Sequence, residues 1–265
     1  MPRLTLRTIQ RLAASIWILA LIAAGAAADP VTVRFPDGTT HGFLVLRSLK
    51  GQTLAHGELL AFPHGDRMES RLTWRFRDGS LQEEIVTYLQ KPALKLLTYK
   101  QVQRGPSFPA DVEVSVTRAP SHYEMTLREK SKKEPETSSG TIELPDDVYN
   151  GLLPTVLNNV AKGETAAGHM VAFTPKARLV KMTIRAIGED PILVGESRRT
   201  AVRYLVDLEV GGIVGVFAKV AGKEPQDLKF WILKGEVPAF VGFEGPFFYQ
   251  GPVWRIELSA PRWPN

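Results

Sequence analysis

The stretch Arg71–Ile85, RLTWRFRDGSLQEEI, decides the fold class. Leu72, Trp74 and Phe76 alternate with Arg71, Thr73, Arg75 and Arg77, so this run has one apolar face and one charged face. Successive side chains of a strand point to opposite faces, and a period of two marks a half-buried strand. Asp78-Gly79 follows, a pair suited to a tight hairpin because glycine takes positive φ at no steric cost. As a two-residue turn it sets Arg77 opposite Ser80, Phe76 opposite Leu81, Trp74 opposite Glu83 and Leu72 opposite Ile85. Glu83 then falls on the apolar side, where a carboxylate needs a partner or a raised pKa and could read the polar head of a ligand. A one-residue bulge would turn the same side chain to solvent.

The pattern recurs along the chain. Val112, Val114 and Val116 alternate with polar residues, as do Tyr123, Met125 and Leu127. So do Val180, Met182 and Ile184, then Tyr204, Val206 and Leu208, then Trp254, Ile256 and Leu258. Many such runs separated by turns describe an antiparallel sheet. The sequence therefore predicts a mainly β protein: a curved antiparallel sheet, a half-barrel or open barrel, built as one domain over residues 29–265. Asp37-Gly38 is a second turn candidate. Glu129–Gly140 (EKSKKEPETSSG) reads as a long hairpin loop within the domain, with an interdomain linker as the alternative. One short helix is expected near 146–161. Asp146 or Asp147 can cap it, and Val148, Leu152, Leu153, Val156, Leu157 and Val160 recur at helical spacing. Gly163 could end it, and Pro154 in mid-pattern predicts a kink or a split into two helices.

Met1–Ala28 reads as a secretory signal peptide. Arg3, Arg7 and Arg11 form a basic start, Leu12–Ala28 is uncharged and apolar, and Ala26-Ala27-Ala28 offers small residues for cleavage before Asp29. An uncleaved anchor is the competing reading, but the apolar run is short for a span, which needs about 20 residues. The expected location is the periplasm or the extracellular space. Of the 33 basic and 28 acidic residues, three basic and no acidic ones precede Asp29, which leaves a formal charge of +2 on the remainder. So weak a charge gives no reason to expect nucleic acid as a partner. With no cysteine, disulfides, thiol catalysis and thiolate metal sites are all excluded.

No catalytic grouping stands out. The five histidines (His41, His56, His64, His122 and His169) are scattered and show no metal-ligand spacing. No G-x-S-x-G elbow occurs, and Gly222-Lys223-Glu224 fails the phosphate-loop pattern. No catalytic residue, metal ligand or cofactor is expected. Aromatic residues do concentrate late in the chain. Phe230-Trp231 and Phe247-Phe248 are adjacent pairs, so in a strand each would place a ring on both faces. Those rings either pack as ordinary core or line a site for an apolar ligand. The candidate ligand-binding residues are Trp74, Glu83, Phe217, Phe230, Trp231, Phe243, Phe247 and Trp254. Val210–Gly222 (VGGIVGVFAKVAG) reads as a bent or bulged strand, with a flexible apolar flap as the sharper alternative.

The element order is a β meander, then Leu144-Pro145-Asp146-Asp147 opening a helix, then further strands ending in Lys223–Leu258 (KEPQDLKFWILKGEVPAFVGFEGPFFYQGPVWRIEL). It resembles exported bacterial β proteins of the lipoprotein-carrier (LolA/LolB-like) half-barrel architecture. That resemblance implies a concave apolar surface able to hold a lipid-like molecule, and it carries over no binding residue. The expected function is a non-catalytic, exported binder of an apolar or lipid-like molecule, with transient contact to a membrane surface. The alternatives are an envelope module that docks a protein partner through an aromatic patch or sheet edge, and a hydrolase with dispersed residues.

Overall fold

The computed structural model describes residues 29–174, 176–194, 197–209 and 226–259. Eight strands come first: β1 (Thr40–Ser48), β2 (Thr53–His64), β3 (Arg67–Phe76), β4 (Leu81–Leu89), β5 (Lys95–Arg104), β6 (Ala110–Thr117), β7 (His122–Glu129) and β8 (Glu136–Gly140). A covering segment, 141–164, carries the short helix α1 (Leu153–Asn159). Then follow β9 (Thr165–Thr174), β10 (Lys176–Val194), β11 (Ser197–Glu209), β12 (Leu228–Leu233), β13 (Ala239–Pro246) and β14 (Val253–Leu258).

All fourteen strands join one antiparallel sheet, ordered β8 to β1 and then β14 back to β9. Each strand pairs with its neighbours in sequence, except that β1 zips to β14 and β8 and β9 are left as the two edges. The sheet is curved and unclosed. Its curvature shows in the core, where Val86 and Tyr88 of β4 share one cluster with Tyr204 of β11 and Phe230 of β12. A flat sheet would hold those strands far apart, since neighbours sit about 4.8 Å from each other.

The polar stretch that reads as a loop contributes its second half to the sheet. Glu136–Gly140 is β8, a short polar edge strand of the kind that resists edge-to-edge aggregation. Asp37-Gly38 makes no hairpin. Asp37 instead accepts hydrogen bonds on Oδ2 from the Tyr88 hydroxyl (2.6 Å) and from Thr155 Oγ1 (2.8 Å).

The helix is shorter than its apolar periodicity suggests. Pro154 lies in its first turn, where a missing N–H costs no helical bond, so proline starts this helix and does not kink it. Neither Asp146 nor Asp147 caps it. Asp146 pairs with Lys95 and Arg118. The buried Asp147 carboxylate holds Nδ1 of His169 at 2.9 Å. The backbone here joins the sheet margin: Tyr149 N donates to His169 O (2.9 Å) and His169 N donates to Asp147 O (2.8 Å). The covering segment thus caps the β9 edge and lays Val148, Leu152, Leu153, Val156, Leu157 and Val160 onto the inner face.

Residues 29–37 lock this cover down. Val31 N donates to the Tyr149 hydroxyl, and Asn159 Oδ1 accepts from the backbone N–H groups of Arg34 (2.6 Å) and Phe35 (2.7 Å). Leu94 N donates to Val31 O at 3.1 Å. Segment and sheet are thereby stitched through backbone groups that would otherwise lack partners.

Candidate functional site

The inner face of β3 and β4 is set by the hairpin between them. Phe76 N donates to Ser80 O (2.9 Å), Gly79 N donates to Phe76 O (3.2 Å), and Ser80 N donates to Asp78 Oδ1 (2.9 Å). The loop therefore holds Arg77, Asp78 and Gly79, with Gly79 at φ 84°. This is a three-residue connection with glycine at the left-handed position. Relative to a two-residue turn, every pair slides by one: Trp74 faces Gln82, Thr73 faces Glu83 and Leu72 faces Glu84. Glu83 is on the outer face. Glu84 takes the inner position, in line with Gln82, Val86 and Tyr88.

Glu84 sits in an unusual setting for a carboxyl. The Tyr99 hydroxyl donates to its Oε2 at 2.9 Å. The same phenol oxygen lies 2.9 Å from Gln101 Oε1. One phenolic proton cannot serve both acceptors. With the Gln101 amide turned end for end, its NH2 donates to the phenol and both contacts are satisfied. No cation pairs with Glu84 among the described residues. Burial raises its pKa, with the Tyr99 hydrogen bond opposing. Burial and the neighbouring Glu84 charge push the Tyr99 phenol well above its ordinary value. Gly151 of the covering segment stands over this pair at φ 70°, and a Cβ there would lie 3.0 Å from Glu84 Oε1. Across the ladder, Gln82 is opposite Gln103 and Glu84 is opposite Gln101. Ser70, Leu72, Gln82, Glu84, Gln101 and Gln103 thus form a mixed polar strip on an inner face that is otherwise apolar.

Two apolar clusters flank the strip. One lies beneath the covering segment, where Val156 and Leu157 are fully buried. The other is aromatic. Trp74, 1% exposed, meets the Phe247 ring edge-on at 5.7 Å, and Phe247 meets Trp254 at 5.4 Å. Phe76 and Phe108 stack edge-on at 5.1 Å, and Phe248 closes the group against Phe108 at 5.6 Å. Phe247, Phe248 and Trp254 stay partly accessible, while Trp74, Phe76 and Phe108 beneath them are buried.

The sequence candidates therefore separate. Trp74, Phe247 and Trp254 come together in the aromatic cluster. Phe230 and Phe243 pair at 4.9 Å in the covered core and are buried, so they act as packing there. Phe240 and Ile256 touch both clusters. Trp231 points to the outer face, where its Nε1 donates to Asp190 Oδ2 at 2.7 Å. Phe217 and the Val210–Gly222 stretch lie outside the described residues. Sequence reasoning missed Glu84, Tyr99 and Gln101, because their placement depends on the turn type and on register. It also missed Phe76 and Phe108 as parts of the ring cluster.

Asp147 and His169 hold each other as a carboxylate–imidazole pair, the arrangement that orients a catalytic base. Among the described residues no hydroxyl bonds to the second ring nitrogen, and the pair fastens the covering segment to β9.

No family model matches the chain, and no curated protein matches its sequence. Among solved structures it is similar to a β-barrel-like protein of a domain of unknown function, DUF1849, from Brucella abortus, at 10% identity and a TM-score of 0.44. That likeness covers 85% of this chain and 97% of the other, and it extends no further than a β-barrel-like outline.

Proposed function

We propose that this chain is an exported, non-catalytic protein of the cell envelope that binds an apolar or lipid-like molecule on the inner face of its curved sheet. The observation that carries the reading is the partly accessible ring surface of Phe247, Phe248 and Trp254, which adjoins the strip around Leu72 and Glu84 inside an unclosed sheet. Accessible rings beside a few convergent polar groups are the usual make-up of a small-molecule site. The proposed surface is the ring cluster, which stands apart from the core beneath the covering segment. The lipoprotein-carrier half-barrels remain the architectural analogy, and export rests on the sequence of Met1–Ala28.

Purified mature protein provides the test. Mass spectra of organic extracts should reveal a co-purified amphiphile, and tryptophan emission should respond saturably to added alkyl-chain probes. Extracts free of such molecules, together with no spectral response to any chain length, would overturn the reading. An intact mass that begins at Asp29 in exported material checks the signal.

A second reading has its own support. The outer edge of β8 carries no paired strand among the described residues, and such an edge can add a strand from a protein partner. Retained partner binding after Trp254→Ala, with loss on insertion of proline in β8, would favour that reading.

A further inference from the structure

We propose that the basic cleft between the β5–β6 turn and the β7–β8 connection binds phosphate groups, and that its ligand presents at least two of them close together. The cleft is separate from the ring surface, and it stands or falls independently of the apolar binding proposed above.

Sequence supplies the charge and topology gathers it. Arg104 ends β5, Arg128 lies near the end of β7, and Lys130, Lys132 and Lys133 follow it. In an antiparallel meander the ends of β5 and β7 lie at the same end of the sheet, with the start of β6 between them. These five cations line one open cleft of about 770 Å³, together with two carboxylates, Asp111 and Glu129.

Five cations against two carboxylates leave the lining at +3. The chain from Asp29 onward totals only +2. The positive excess of the whole chain is therefore concentrated in one concavity, and clefts lined by one sign of charge focus the field. Both carboxylates are engaged. Asp111 accepts from Arg128 on Oδ2 and from Gly105 N on Oδ1 (3.0 Å), and Glu129 accepts from Lys132 at 2.9 Å. Glu136, outside the lining, takes a second contact from Lys132. Arg104, Lys130 and Lys133 carry the net charge.

The rim that holds these groups is cross-tied. Lys130 Nζ donates to Pro106 O at 2.9 Å, which joins the end of β7 to the β5–β6 turn. Phe108 N closes that turn on Gly105 O at 3.2 Å. The turn is pressed onto the β3–β4 turn: a Cβ at Gly105 would lie 2.6 Å from Ser80 Cα, and Ser107 Oγ donates to Asp78 Oδ2 at 2.7 Å. A site whose charges are already placed loses less affinity to ordering.

A phosphate group brings nearly two negative charges and three strong acceptor oxygens, and both arginine and lysine donate to it. One carboxylate would engage a single cation of the three, whereas two neighbouring phosphates match the net charge. A soluble phosphorylated molecule and the head groups of a phospholipid surface both present this chemistry.

The test uses the full mature protein at about 0.1 M salt, where exposed charges more than about 10 Å apart are largely screened. Pyrophosphate is titrated by calorimetry, and vesicles of phosphatidylglycerol or of phosphatidylcholine are tested by co-sedimentation. Two triple variants are compared. Arg104→Gln/Lys130→Gln/Lys133→Gln removes the net charge of the cleft, and Arg67→Gln/Lys91→Gln/Arg198→Gln removes the same charge from positions outside it. All six side chains are exposed, so both variants keep the fold, which circular dichroism checks. Wild type should bind pyrophosphate or phosphatidylglycerol vesicles saturably. The cleft variant should lose that binding by about tenfold or more, at about two- to fivefold per cation. The control variant should stay within about twofold. Binding of pyrophosphate assigns the site to a soluble ligand. Binding of phosphatidylglycerol but not phosphatidylcholine vesicles, with no affinity for pyrophosphate, assigns it to a lipid surface. No saturable binding of either anion, equal loss in both variants, or binding untouched by the cleft variant would overturn the proposal. Alkyl-chain binding should survive the cleft variant, and phosphate binding should survive Trp254→Ala, so failure of one site is distinct from failure of the other.

Discussion

Gly151→Ala gives the most direct test of how closely the cover is pressed onto the sheet. Residue 151 has φ 70°, and an added Cβ would overlap Val86 Cγ2 and crowd Glu84 Oε1. Left-handed backbone costs a non-glycine residue roughly 1–2 kcal/mol. Overlap with the valine adds about 1–3 kcal/mol, because a β-branched side chain in a packed core has few rotamers to escape into. The lost freedom of the unfolded chain returns about 0.4–1 kcal/mol. The net expectation is a destabilisation of roughly 1–4.6 kcal/mol, measured by urea unfolding with an unchanged slope. Hydrogen exchange should quicken across 144–160 before it quickens in β3 and β4. Gly163→Ala is the control: φ is 87°, but nothing lies within 4 Å of the added Cβ, so only the backbone cost applies. A Gly151→Ala protein within about 0.5 kcal/mol of wild type, with unaltered exchange in the cover, would refute the close approach.

Three further outcomes follow from the same contacts. Glu84→Gln should alter the pH dependence of stability. The folded carboxyl holds its proton more tightly than the unfolded one, so the stability it contributes is present at low pH and lost as pH rises through the raised folded value. The stability of the variant minus that of wild type should therefore grow from about pH 4 towards neutrality, and a flat difference across urea titrations would contradict the burial. Trp74→Ala removes a fully buried ring from the aromatic cluster and should cost about 3–5 kcal/mol in the same assay. Asn159→Ala strips two backbone N–H groups of their acceptor and should cost about 2–4 kcal/mol, with faster proteolysis at 29–38 as the local signature.

The strands were legible because alternation is a local property. Leu72, Trp74 and Phe76 show their inner face in the sequence, and so do Val112, Val114 and Val116. The site was less legible because it depends on register. Asp78-Gly79 announces a turn, but whether two or three residues form it is settled by the Asp78 side chain bonding Ser80 N, and that choice exchanges Glu83 for Glu84. One short helix stands within the expected stretch, but its extent was less legible. Val148 and Leu152 are buried by a turn-rich segment tied to β9 by a single bridge, and this segment mimics helical spacing without being helix. The ring cluster was half visible. Phe247 and Trp254 stand out by composition, whereas their contact with Trp74 joins elements far apart in sequence and needs the curl of the sheet.

The seam between β1 and β14 has a consequence for biogenesis. Val45 pairs with Glu257, and Arg47 bonds the Glu257 carboxylate across 210 positions of chain. The middle of the sheet therefore cannot be completed until nearly the whole polypeptide has left the ribosome, and loop closure over such a distance is slow. Each meander of sequence neighbours can pair locally before that, so the seam is the last join to form and the step at which the two halves become one sheet.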